Sequence, residues 1–189
     1  MKKLFLKSLT ITSDIEESAN QFIFQKKNLI LSDDNGVGKS TLIDMIFWTL
    51  GCRVDLKPDW LAADVKSLLE IQLDDQIHTF AKIKSEYFYK VNNDDNFQRF
   101  NKVTGEFTNI VLSIFGMSYW KLFSKNNDLN VPTPDYLLSL FYIDQAQWNS
   151  DFFSNIKNKY ISKSNYDNIL KLFIGHIDIG YFERILEID

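Results

Sequence analysis

The stretch LILSDDNGVGKST, residues 29–41, contains the one strong motif of this sequence. It begins with an apolar run at 29–31 and continues through a polar loop that contains two glycines. Residues 39–50 follow, and they are apolar on almost every side, which predicts a buried helix. This strand, loop and helix order lets consecutive backbone N–H groups converge at the start of the helix, where anions bind. The segment therefore predicts a phosphate-binding loop.

The loop matches most of the Walker A pattern G-x-x-x-x-G-K-[ST]. Gly38, Lys39 and Ser40 occupy the last three positions of the pattern, whereas Asp33 stands where its first glycine is expected. Aspartate adopts the left-handed backbone conformation more readily than most residues, so the loop shape is expected to survive. A polar turn without a ligand remains the alternative interpretation.

Each residue type in the loop has a physical role in holding ATP. We expect Lys39 to reach the β- and γ-phosphates, Ser40 to bind Mg²⁺ through its hydroxyl, and Thr41 to donate to the α-phosphate. Gly36 and Gly38 allow the backbone to fold tightly around an anion. The complete predicted ATP site is Asn35, Gly36, Val37, Gly38, Lys39, Ser40 and Thr41.

The rest of the chain alternates between strand and helix patterns. Strict polar and apolar alternation predicts a β-meander, and a 3.6-residue period predicts helices further along. The predicted strands cover 3–12, 22–24, 29–31, 69–73, 77–83, 87–91 and 137–143; the later helices run from 108 to Gly116 and over 165–174.

Composition limits the classes of protein that fit the chain. The 189 residues are 45% hydrophobic, with 21 basic against 25 acidic residues and three arginines. Disordered tails are excluded by this apolar content, and DNA binding through a dense cationic face is not expected. A single cysteine, Cys52, and apolar runs too short for a membrane span predict a cytoplasmic protein without membrane contact.

Two segments resemble those of a known family. The loop NGVGKSTLID at 35–44 resembles the phosphate loop of ABC-type ATPases of the SMC, RecF and RecN group. The run LFYIDQ at 140–145 resembles their Q-loop, whose glutamine contacts Mg²⁺ and the attacking water. The resemblance implies that Lys39 and Gln145 are catalytic and that Ser40 and Gln145 bind Mg²⁺. Gln147 is the competing glutamine.

This resemblance also implies a fold and a domain organisation. The expected fold class is α/β, with a P-loop core sheet of ABC/SMC-head type, one helix packed on it, and an antiparallel meander lobe. Residues 1–179 would form the N-terminal lobe of the head, and 180–189 the start of a coiled-coil arm. The signature and Walker B motifs of the family are absent from these residues, so the ATPase site is expected to be incomplete.

The partners implied by the resemblance are the C-terminal half of the same head, a second head in a homodimer, and DNA bound through the dimer. The sequence around the Q-loop is similar to that of Lamassu-type SMC-like ATPases of bacterial defence. This similarity implies accessory defence or nuclease subunits. Two alternatives remain open. Asp144 as a Walker B carboxylate would make the chain a small kinase or NTPase, and a loop without catalysis would make it a nucleotide-sensing module.

Overall fold

A computed structural model describes residues 3–31, 33, 38–54, 56–92, 94–118, 120–123, 129–138, 141, 163–178, 180–181 and 184. The chain divides into two compact units, Met1–Val103 and Thr104–Asp189. Within the part of the chain that is described, no helix is both long and apolar enough to cross a membrane.

The first unit is built on a six-stranded antiparallel sheet. Its strands lie in the order β2-β1-β3-β4-β5-β6. Tight turns at Asp74 and Lys84, which both have positive φ, connect the three central strands of the meander. The strands are β1 (Leu4–Ser13), β2 (Ser18–Ile23), β3 (Lys66–Leu73), β4 (Gln76–Ile83), β5 (Glu86–Val91) and β6 (Gln98–Phe100).

One face of this sheet forms the core of the first unit. Leu9, Leu69 and Phe80 are paired across three neighbouring strands and all three have 0% exposure. Because side chains alternate between the two faces of a strand, the alternating sequence of β3 and β4 directs its larger apolar residues to this face. Helix α1 (Lys39–Thr49) packs on β3 and β4, and its buried residues include Met45 and Ile46.

A short helix, α2 (Pro58–Ala62), connects α1 to the sheet. Proline stands at its first helical position, where a missing N–H costs nothing and the fixed φ suits a helix. This helix is not predicted from the sequence, because five residues are too few to show a helical period.

The second unit contains a small helical core of its own. Gly116 and Gly175, both with positive φ, end its two longer helices, as the sequence predicts. Its elements are α3 (Glu106–Ile114), β7 (Leu122–Phe123), β8 (Leu129–Asn130), α4 (Pro134–Leu138) and α5 (Lys163–Phe173). Its core is formed by Leu112, Met117, Trp120, Leu122, Leu137, Ile169 and Leu172.

The predicted fold class is wrong. The structure is dominated by the six-stranded antiparallel sheet, and neither a P-loop helix on a parallel core sheet nor that core sheet is evident among the described residues. The meander is observed, but as the main sheet and not as a lobe added to an α/β core. Leu29, Ile30 and Leu31, predicted as a core strand, form no strand, and Leu29 and Leu31 are 80% and 76% exposed. A strand needs a neighbouring strand to pair with, and the described residues supply none here.

The strand predicted over 137–143 is also wrong for those of its residues that the structure describes. Leu137 and Leu138 belong to α4, because Pro134 starts a helical turn just before them. Residues 139–140 and 142–143 lie outside the described residues. Of the predicted coiled-coil arm, the structure describes only Gly180, Tyr181 and Arg184, so the boundary at 179/180 stays a prediction.

A histidine lies within the core face of the sheet. His78 is 6% exposed, and its Nδ1 lies 2.8 Å from the hydroxyl oxygen of Tyr89. Its Nε2 has no hydrogen-bond partner within the described part of the chain. Burial lowers the pKa of His78 below its ordinary value of 6.5, because the charged imidazolium would lose its hydration.

The core face provides a first prediction. Phe80→Ala is expected to lower the free energy of unfolding by about 3–5 kcal/mol, since it leaves a cavity in a fully buried row of side chains. Phe97→Ala is the matched control, because Phe97 is 38% exposed, and it should cost less than about 1.5 kcal/mol. Urea unfolding of both variants measures the difference. Equal losses would contradict the assignment of this face as the core.

His78 provides a second prediction. A histidine with a lowered folded pKa contributes stability that is complete above the unfolded pKa and is lost as pH falls through it. Unfolding free energy should therefore fall between pH 7.5 and 5.5, with a contribution of at most about 1.4 kcal/mol per pH unit. His78→Gln should flatten this slope, because it removes the imidazole whose pKa burial lowers. A slope that persists in His78→Gln would assign the titration to another group.

Candidate functional site

The first candidate site is the start of α1. Gly38 caps the helix with φ +88°, and its carbonyl oxygen accepts the first helical hydrogen bond, from the N–H of Leu42 at 2.9 Å. A Cβ at Gly38 would meet no atom within 4 Å, so the left-handed backbone, and not lack of space, is what favours glycine here. The GK pair of the motif thus marks the point at which the chain enters the helix.

The next three residues differ in exposure. Lys39 is half-buried and Ser40 is exposed, whereas Thr41 is 4% exposed and belongs to the core side of the helix. The first turn of α1 contains no acidic residue. The helix dipole places partial positive charge at this end, and Lys39 adds a full positive charge. This combination suits an anion such as a phosphate group.

The packing of α1 fixes where its N-terminus lies. Thr49 Oγ1 lies 2.6 Å from the carbonyl oxygen of Met45 and 2.6 Å from Ser67 Oγ on β3. Lys82, buried on β4, places its Nζ 4.3 Å from the centre of the Trp48 ring. The contacts with Ser67 and Lys82 hold the C-terminal end of α1 on the sheet. The start of the helix is therefore positioned by a rigid element and not by a loop alone.

The structure tests only part of the predicted site. Gly38, Lys39, Ser40 and Thr41 are described, whereas Asn35, Gly36 and Val37 lie outside the described residues. Asp144, Gln145 and Gln147 also lie outside them, so the pairing of Ser40 with Gln145 around Mg²⁺ stays a prediction. Among the residues that are described, no group of three or more His, Cys, Asp or Glu side chains is arranged to hold a metal ion.

A second candidate site, which the sequence analysis missed, is a cavity of about 310 Å³ in the first unit. Its walls come from β1, the β1–β2 turn, β2 and α2, and they include Phe22 and Trp60. The sequence signal that could have located it is Lys57-Pro58-Asp59-Trp60, in which proline starts a helix just before an aromatic residue.

The walls of the cavity are joined by a buried serine. Ser13, 6% exposed, donates its hydroxyl to the carbonyl oxygen of Ala63 at 2.5 Å and accepts the backbone N–H of Glu16 at 3.0 Å. The first bond joins β1 to the end of α2, and the second holds the β1–β2 turn. The cavity is therefore bounded by segments that hydrogen bonds hold together.

Comparisons with known proteins give a similarity to a Lamassu protein and no match to a family model. No protein-family model matches this chain. The chain is 26% identical over 189 residues to the Lamassu protein LmuB of Bacillus cereus strain VD014. The match covers 99% of this chain and 33% of that protein, so the chain spans about a third of the length of its relative. The similarity to a Lamassu protein agrees with the resemblance found in the sequence, whereas the ATPase part of that resemblance stays a prediction.

Proposed function

We propose that this chain is the ATP-binding part of a larger SMC-like ATPase that acts in anti-phage defence. The observation that carries the proposal is the start of α1, where left-handed Gly38 leads into Lys39 and Ser40 at the positive end of a packed helix. The similarity to a Lamassu protein supports the defence role. These two observations carry the proposal without the predicted α/β core sheet, which is not evident among the described residues.

The residues at the start of α1 fit a nucleotide tail. Backbone N–H groups of the first turn would donate to phosphate oxygens, and the Lys39 ammonium group would neutralise their charge. The hydroxyl of Ser40, an exposed residue, would be a ligand of Mg²⁺, which prefers oxygen ligands and keeps several waters. When bound, Mg²⁺ would offset the charge of the β- and γ-phosphates. Gln145 would position the attacking water.

Exposed apolar residues support the proposal that further chain completes the site. Leu29 and Leu31 are mostly exposed, and Ile30 is 37% exposed, directly before the phosphate-binding segment. Three consecutive apolar residues in contact with water are unfavourable unless another segment covers them. The remainder of the same protein would provide this cover, since the relative is about three times as long as the matched chain.

The charge of the chain bears on the proposed action on DNA. The net charge is −4, and three arginines are spread along the sequence. Such a chain is a poor DNA-binding surface by itself, because affinity for DNA depends on many phosphate contacts from basic residues. DNA would therefore be bound by the dimer formed when ATP joins two copies, or by accessory defence subunits.

The phosphate-binding assignment is tested by Lys39→Ala. Loss of a charge-assisted contact to the phosphates should weaken the binding of a fluorescent ATP analogue by about 10- to 100-fold in the intact protein with Mg²⁺. Lys26→Ala is the matched control, because Lys26 is exposed and lies before the segment, and it should leave affinity unchanged. Equal affinity of Lys39→Ala and the wild type would overturn the assignment.

The predicted catalytic glutamine is tested separately. Gln145→Ala should bind the ATP analogue as the wild type does, yet hydrolyse ATP at least about tenfold more slowly, because it loses the group that orients water. Gln147→Ala is the control and should retain turnover. Slow turnover in Gln147→Ala alone would move the role to that residue. No effect in either variant would contradict a Q-loop at this position.

A further inference from the structure

The cavity bounded by β1, β2 and α2 has a chemical character unlike that of the phosphate-binding segment. Two carboxylates, Glu16 and Asp59, line it together with the rings of Phe22 and Trp60. None of the described residues that line it is a lysine, arginine or histidine. Its other polar side chains are hydroxyls and an amide, among them Ser13 and Asn20. At the pH of a cell these described residues thus contribute negative charge and no positive charge.

The two carboxylates differ from their acidic neighbours in their contacts. Asp14 forms an ion pair with Lys66, and Asp64 with Lys84. By contrast, the side chains of Glu16 and Asp59 form no ion pair or hydrogen bond with any other residue that the structure describes. Both residues are exposed, so among the described residues their charge faces solvent without a paired cation.

Aromatic rings next to carboxylates favour organic cations. The face of a tryptophan or phenylalanine ring attracts an ammonium or guanidinium group through the negative side of its quadrupole. A carboxylate adds a charge-assisted hydrogen bond to the same group. A phosphate would instead be repelled by both carboxylates, so a nucleotide tail is a poor ligand for this cavity. Its volume, about 310 Å³, lies at the low end of the range of about 300–1,000 Å³ for ligand sites.

We propose that this cavity binds an alkylguanidinium or alkylammonium group. The cation would rest against Trp60 and Phe22 and be paired with Glu16 and Asp59. An arginine or lysine side chain of a protein partner and a free polyamine carry the same chemistry, and the experiment below separates these two sources. The proposal does not depend on ATP binding at α1, because it uses none of the residues of that segment.

The binding test uses agmatine, spermidine and the peptide acetyl-Gly-Arg-Gly-amide as probes of the 189-residue chain. Binding is measured by calorimetry and by NMR shifts of the Trp60 indole N–H. Tighter binding of the peptide than of agmatine and spermidine assigns a protein partner, and the reverse order assigns a polyamine. Raising NaCl from about 50 to about 500 mM should weaken binding of every cation, because salt screens the two carboxylates.

The variants identify the groups responsible. Glu16→Gln combined with Asp59→Asn should weaken cation binding at least about tenfold, because it removes both charges and keeps the shape of the side chains. Asp75→Asn is the matched control, since Asp75 is exposed in the β3–β4 turn and does not line the cavity. Thermal unfolding checks that the variants fold. If the double variant does not fold, the single variant Asp59→Asn, at an exposed helix position, replaces it in the binding measurement.

Three results would overturn the proposal. The first is that none of the three cations binds at about 10 mM, a concentration high enough to detect even weak binding of a small ligand. The second is equal affinity of the wild type and the charge-neutral double variant. The third is a shift of the Trp60 signal when neutral adenosine is added, without any shift when the cations are added. That result would assign the cavity to a neutral ligand that contains a ring.

Discussion

The burial of one sheet face under α1 is the constraint on which the first unit depends. Leu9, Leu69 and Phe80 lie side by side across three strands and are completely excluded from water, with Met45 of the helix as buried as they are. A one-residue slip in any of these strands would turn its apolar residues to solvent, so burial fixes the register as well as the stability. The hydrogen bond between Thr49 and Ser67, and the contact of the buried Lys82 ammonium group with the Trp48 ring, then limit how α1 can lie on the sheet.

This constraint links the core to the candidate phosphate-binding segment. A helix held along the sheet by its buried face has a fixed N-terminus, and the left-handed Gly38 sets the direction from which the chain arrives. The exposed Ser40 and the buried Thr41 follow from the same packing, because neighbouring positions on a helix point about 100° apart. The site is therefore determined by apolar contacts several residues away from the groups that would bind the anion.

The sequence predicted those elements whose signal is local. Alternation in β3 and β4, the apolar character of α1 and the glycines after α3 and α5 each depend on neighbours within one element, and each was located to within a few residues. The predicted α/β fold class failed together with two strands, the core strand at 29–31 and the strand from 137. These strands assumed pairing partners, and pairing is not visible in a single apolar run. The cavity was missed for a related reason, since its walls come from residues up to about 50 positions apart that only the folded chain brings together.

The exposed run Leu29–Ile30–Leu31 connects this folding argument to the proposed function. Covering an exposed leucine side chain contributes about 1.5–3 kcal/mol, so covering Leu29 and Leu31 would favour contact between this run and another segment. Gly38 and Lys39 lie only a few residues further along, so such a contact would lie close in sequence to the helix start. The affinity for a nucleotide in the proposed function would then depend on the remainder of the protein as well as on the phosphate-binding residues themselves.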